Sequence, residues 1–179
     1  MEDLKDYLRY YFQEDYLFSK VNKNFQENHF LTPEEFFTIV IWKRNASKTK
    51  IVKGIKESKK TIKFLTKKIF ESTEREDRLK ILLNIKNIGI AIASAILTVL
   101  YPNEFTIIDY RVKKSLKKLG IKLPGKIEEN SEDYFRYVDI CKEIAIKRKL
   151  SLRNLDRILW AMDFYEGENG LKDITKDLI

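Results

Sequence analysis

The sequence predicts an all-α protein, and two observations carry that expectation. Apolar residues recur at spacings of three and four along most of the chain, while few stretches alternate at period two. Helix start and stop signals punctuate the pattern, from Thr32-Pro33 with two glutamates behind it to Gly120 after a lysine-rich run. One cysteine and one histidine exclude a disulfide framework, cysteine-ligated zinc, an iron–sulfur cluster and histidine-based metal sites, and weigh against a Ser-His-Asp centre. An apolar core therefore has to hold the helices together. With 179 residues and 44% hydrophobic content, a single domain over 1–179 can bury one. The expected arrangement is two helical lobes that exchange chain, with a cleft between them.

The elements follow in order. Asp3 to Gln13 is aromatic-rich and helical in pattern. "LTPEEFFTIVIWK" opens with Thr32 as N-cap and Pro33 at the first helical position, and Glu35 completes a capping box. Lys48 to Glu57 and Lys59 to Phe70 form two further helices. Across them Ile62, Leu65 and Ile69 share one face and Lys56, Lys60, Lys63 and Lys67 another. Arg78 to Asn84 and Ile90 to Leu100 are joined by the short turn "IKNIG". Tyr110 to Leu119 ends at Gly120, a favourable C-cap, and "KLPGKIEENS" is a loop with a Pro-Gly turn. Asp133 to Lys147 and Leu152 to Tyr165 are amphipathic helices, with Cys141 as a small core residue and a short tail after Gly170.

Charge is concentrated in one place. The chain carries a formal +8, yet from Trp42 to Lys68 eleven basic residues face a single acid, Glu57. Such a block suits a polyanion, nucleic acid being the commonest, although a solvated face would look the same. The N-terminus lacks the order of a signal peptide and no apolar run reaches membrane-spanning length, so no membrane partner and a cytoplasmic, nucleoid-associated monomer are expected.

The turn and the acid beyond it carry the functional signal. Asn87 suits a left-handed turn position, and Gly89 permits unusual backbone angles and close approach of a partner. The amides opening the next helix are free donors with the helix dipole behind them, which suits a phosphate. Asp109 sits in "IIDYRV" beside apolar residues, where a carboxylate is costly to bury without a local reason. A helix start supplies one, since the dipole favours the anion, and a plain N-cap would account for it equally well.

"NIGIAIASAIL" followed by "IIDYRV" resembles the helix–hairpin–helix/Gly-Pro-Asp superfamily of DNA glycosylases, the endonuclease-III-like base-excision enzymes. Gly89 and Asp109 lie twenty positions apart, as in that family, and the hairpin would span about 78–100. "PEEFFTIVIWKR" and "SLRNLDRILWAMD" are similar to an uncharacterised prokaryotic branch of it. The resemblance implies Asp109 as the catalytic carboxylate and double-stranded DNA with a damaged or mispaired base as partner. It also implies DNA contacts at Lys86, Asn87, Ile88, Gly89 and Ala91, a monovalent cation at the hairpin, and no other cofactor. Lys43, Arg44, Lys56, Lys60, Lys63 and Arg111 are candidates for phosphates, and Trp42, Trp160 and Arg157 for the pocket of an extruded base.

Four positions depart from the family pattern. Asn87 replaces the first hairpin glycine and Lys86 the preceding proline; Pro102 lies outside the Gly-Pro-Asp element. Ala91 stands where bifunctional members carry the lysine that forms a Schiff base. A monofunctional glycosylase is therefore expected, against a non-catalytic helix–hairpin–helix DNA-binding protein or a basic module that binds RNA or protein.

Overall fold

The structure, a computed structural model, describes residues 13–175, with side chains described over 14–164. It is helical, with no β-strand among the described residues. An α turn at Gln13–Asp15 and a π-helical stretch at Tyr16–Val21 lead into α1 (Asn22–Asn28). Then come α2 (Pro33–Arg44), α3 (Lys48–Ser58), α4 (Ile62–Glu71) and α5 (Arg75–Leu83). The last described elements are α6 (Ile90–Leu100), α7 (Tyr110–Lys118), α8 (Ser131–Lys147) and α9 (Leu152–Thr175).

Local signals account for most of these boundaries. Thr32 and Glu35 form the expected capping box, each side chain accepting the other's backbone N–H. The helix expected from Lys59 starts instead at Ile62, because Lys59 turns left-handed with φ 55° and the Thr61 hydroxyl caps the new helix. The lysine face of Lys56 and Lys63 is thus shared between two helices, with Lys60 in the break. α5 begins at Arg75, earlier than Arg78, and α8 begins at Ser131 because Asn130 caps it. α9 continues through Gly167 and Gly170 to Thr175, in place of the expected tail. Glycine weakens a helix by about 1 kcal/mol but does not end it without a left-handed cap or a proline. The helix expected over Asp3 to Gln13 lies outside the described residues except at Gln13.

α6 is the centre of the fold. All of its residues but Ala91 are buried, and the buried side chains from Leu17 to Leu159 make one continuous core around it. Each fully buried Leu, Ile or Val contributes roughly 1.5–3 kcal/mol, so α6 is the largest single contributor to the core. Its polar residues are satisfied: Thr98 donates to the Ser94 carbonyl, and Ser94 donates to that of Ala91. The C-terminal carbonyls of α6 are capped from α1, where Asn22 reaches Val99 and Leu100 and Gln26 reaches Leu100. Cys141 is buried in the core, as expected.

Candidate functional site

The segment leading to Asp109 has no regular secondary structure, yet it is held at four backbone groups over three consecutive residues. The Tyr134 and Tyr137 hydroxyls of α8 donate to the carbonyls of Thr106 and Ile107, each at 2.9 Å. The Ile108 amide donates to the Ser94 hydroxyl of α6 at 3.2 Å, and the Ile108 carbonyl accepts from Lys43 Nζ at 3.1 Å. Ile107 and Ile108 are buried, so the two isoleucines anchor the strand of chain that presents the acid. Asp109 then caps α7, its Oδ1 accepting from the Arg111 amide at 2.9 Å.

Its other oxygen meets a cation. Lys43 Nζ lies 2.7 Å from Asp109 Oδ2, with the lysine side chain 13% and the aspartate side chain 29% exposed. Burial on its own would raise the aspartate's pKa. The hydrogen bond and charge of Lys43, the Arg111 amide and the Arg111 guanidinium together outweigh it and hold the carboxyl below its ordinary value.

Asp109 and Lys43 line a pocket of about 420 Å³. Trp42 and Trp160 contribute aromatic wall, and Ile107 and Val112 apolar surface. The volume falls within the usual range for ligand pockets, about 300–1,000 Å³. Further charged groups line it. Arg153 bridges Asp156 and Glu14, and Arg157 Nε donates to Glu14 at 2.6 Å. Asp156 is buried, which pushes its pKa up to about 6 against the opposing charges of Arg153 and Lys43. Glu14 moves the other way, the two arginines more than offsetting its burial.

The hairpin turn rests on the basic helix α3. Gly54 passes so close that a Cβ there would lie 2.0 Å from the Lys86 carbonyl oxygen. Asn87 Nδ2 donates to the Lys50 carbonyl at 2.8 Å, and Lys86 pairs with Glu57 at 3.0 Å. Lys56, Lys60 and Lys63 are exposed, the Lys63 ammonium lying 4.2 Å from the Phe30 ring centroid. Arg44 is exposed at the end of α2, one residue past Lys43. The Ser94–Ile108 bond ties the segment before the acid to the middle of α6, five residues from Gly89.

Several expected roles change in this setting. Asn87 holds the positive φ, at 70°, whereas Gly89 is extended at φ −95° and ψ 175°, angles open to any residue. What remains true of Gly89 is its openness, since a Cβ there would touch nothing within 4 Å. Ile88 is buried and its amide donates to the Ile85 carbonyl, so it offers a phosphate nothing. The Asn87 side chain is tied to α3. Glycine has no side chain to cap α6, so the first-turn amides at Ile90 and Ala91 have no side-chain cap. Lys43, expected on a phosphate-binding face, is a pocket residue. A hairpin cation would need outward carbonyls; that of Ile85 accepts from Ile88 and that of Lys86 faces Gly54, so these two do not fit it.

Sequence reasoning missed Glu14, Arg153 and Asp156. Arg153 and Asp156 lie in "SLRNLDRILWAMD" at a spacing of three, which on a helix puts them on one face beside Arg157 and Trp160. Fold and site together define a protein that is helical over the described residues, with a carboxylate in an aromatic-walled pocket. No protein-family model, curated protein or solved structure matches the chain.

Proposed function

We propose that the protein is a monofunctional DNA glycosylase that hydrolyses the N-glycosidic bond of a damaged or mispaired base in duplex DNA. The observation that carries this function is the Asp109 carboxylate, fixed by Lys43 and the Arg111 amide in a pocket of about 420 Å³. Positive charge builds on the deoxyribose as the base leaves, and a fixed carboxylate stabilises it and orients the attacking water. Trp42 and Trp160 offer stacking surface to an extruded base, and Asp156 and Arg157 offer an acceptor and a donor to its edge. Lys43 keeps Asp109 ionised. Its ammonium donates to both that carboxylate and the Ile108 carbonyl, which holds it on the acid.

Duplex binding follows from the turn packed on α3, which supports a surface where backbone amides and exposed lysines meet phosphates together. A second function, DNA binding without catalysis, is favoured by the structural duties of Asp109 as helix cap and ion-pair partner. Incubation with a panel of lesion-bearing duplexes separates the two. The glycosylase releases at least one base, leaves an alkali-labile strand, and loses that activity in Asp109→Asn. Tight duplex binding with no release from any lesion would leave the binding protein.

A further inference from the structure

Beside the pocket lies a surface that duplex binding through the hairpin does not use. Trp160 and Phe164 of α9 stack at 5.2 Å between centroids with planes 12° apart, yet they are 44% and 42% exposed. Tyr110, directly after Asp109, is 71% exposed. Packing does not require a stacked pair of large rings to stay exposed, and contiguous exposed apolar surface marks interaction sites. α7 supplies two cations on the side that meets α9, Arg111 and Lys114, whereas Lys113 turns to Glu128. The Arg111 guanidinium lies 5.4 and 5.7 Å from the Trp160 and Phe164 ring centroids. It is held there by Asp163, 4% exposed, which Lys114 also pairs at 2.6 Å. The aromatic pair and its cation are thus fixed in place before any partner arrives.

Flat exposed rings beside fixed cations fit nucleotides, whose bases stack and whose phosphates are anionic. In a closed duplex the base faces are already stacked on one another, so only an unpaired nucleotide can reach these rings. Trp160 also lines the Asp109 pocket, which makes the rim continuous with the place of the extruded nucleotide. We propose that the α7–α9 rim is a binding site for an unpaired nucleotide strand, one base stacking on the Trp160–Phe164 pair, with Tyr110 as a second ring and α7 cations holding its phosphates. This rests on the proposed function only in taking nucleic acid as the ligand.

The test uses a lesion-free oligothymidylate of about ten nucleotides, comparable to the footprint of single-strand binders. Anisotropy measures affinity and quenching of tryptophan fluorescence reports stacking. The full chain is expected to bind it with quenching. Trp160→Leu and Phe164→Leu should each weaken binding by about tenfold or more, the loss of one stacked base. Trp160→Phe, which keeps a ring, should retain most of the affinity, and equal melting temperatures establish that the variants fold. Gly89→Val should weaken duplex binding alone. Absence of oligothymidylate binding, or unchanged affinity in both leucine variants, would overturn the proposal. So would leucine variants that alter self-association in sedimentation while leaving oligonucleotide binding intact. Base release is not needed for these measurements, so the site and the glycosylase function can fail independently.

Discussion

Lys43 Nζ lies 2.7 Å from Asp109 Oδ2, joining residues 66 positions apart in the chain. The pair sets the charge state of the acid, because burial alone would favour the neutral carboxyl. The Asp109 contribution to stability is therefore fully present above the ordinary carboxylate range and lost as pH falls through the lowered value. In Lys43→Met the counter-charge disappears and burial prevails. The acidic limb of the base-release profile should then move to higher pH, and the difference between wild type and variant in urea unfolding should grow toward neutral pH. An unshifted limb would show that the pair does not govern ionisation. Borohydride should trap no adduct through Lys43 on abasic DNA, and an adduct that disappears in the Met variant would make that lysine a nucleophile.

Asp109→Asn tests charge at nearly constant shape. Asparagine is as good an N-cap as aspartate, so α7 should keep its start. Base release should fall by orders of magnitude while duplex affinity holds or improves, since a carboxylate repels phosphate. Asp109→Ala should in addition lose about 1 kcal/mol of cap and leave Lys43 unpartnered, visible as a lower melting temperature. Parental release from the Asn protein would reduce Asp109 to a structural residue.

Two glycines give opposite expectations. At Gly54 a Cβ would meet the Lys86 carbonyl at 2.0 Å, so Gly54→Ala must push α3 and the turn apart, costing about 1–3 kcal/mol. At Gly89 the space is open, and Gly89→Ala should fold with unchanged stability. Duplex affinity should nevertheless drop in Gly89→Ala if phosphate approaches the α6 amides there. Wild-type affinity in that folded variant would show that the turn only connects helices.

Salt dependence reads the lysine face. Replacing Lys56, Lys60 and Lys63 together by Gln should reduce the slope of log affinity against log salt by about three, near 0.9 for each phosphate no longer neutralised. A slope equal to that of the parent would make these lysines a solvated face.

Asp156 provides a signature in stability. Its pKa rises from an ordinary value near 4 to about 6 on folding. The native state thus holds the proton more tightly, and this contribution is full below about 4 and lost as pH rises through 6. Over that window the group withdraws about 3 kcal/mol, an upper figure given its partner Arg153. Comparing Asp156→Asn with wild type by urea unfolding at pH 4.5 and 7.5 isolates it. Identical pH dependence in the two proteins would contradict the shift.

The parts legible in the sequence were those with local causes. The Thr32 box, the left-handed Asn87 and the cap at Asp109 each depend on residues within a few positions. The pairing of Lys43 with Asp109 depends on how α2 packs on the chain before α7, and no neighbouring residue announces it. Residue type alone points to Gly89 for the special conformation, whereas the turn places that demand on Asn87. Two signals could have been used. A glycine inside the lysine-rich helix α3 points to a close backbone approach, which Gly54 makes. Tyr134 and Tyr137, three apart on the apolar face of α8, need acceptors once buried, and they find the carbonyls before Asp109.

Those two tyrosines change how the segment Thr106–Ile108 should behave in solution. Hung from α8 by two phenols and from α6 by Ser94, it is a loop only in name. Its Ile108 amide should exchange with deuterium as slowly as amides in the middle of α6, through global opening rather than local fluctuation. An acid carried on so stiff a mount cannot travel to its substrate. On the proposed function, the distortion needed to bring sugar and carboxylate together then falls on the DNA, as unstacking and unpairing. Turnover would accordingly track how easily a base pair opens as much as the chemical identity of the base. One lesion placed opposite different partner bases would then be processed at rates ordered by the weakness of its pairing.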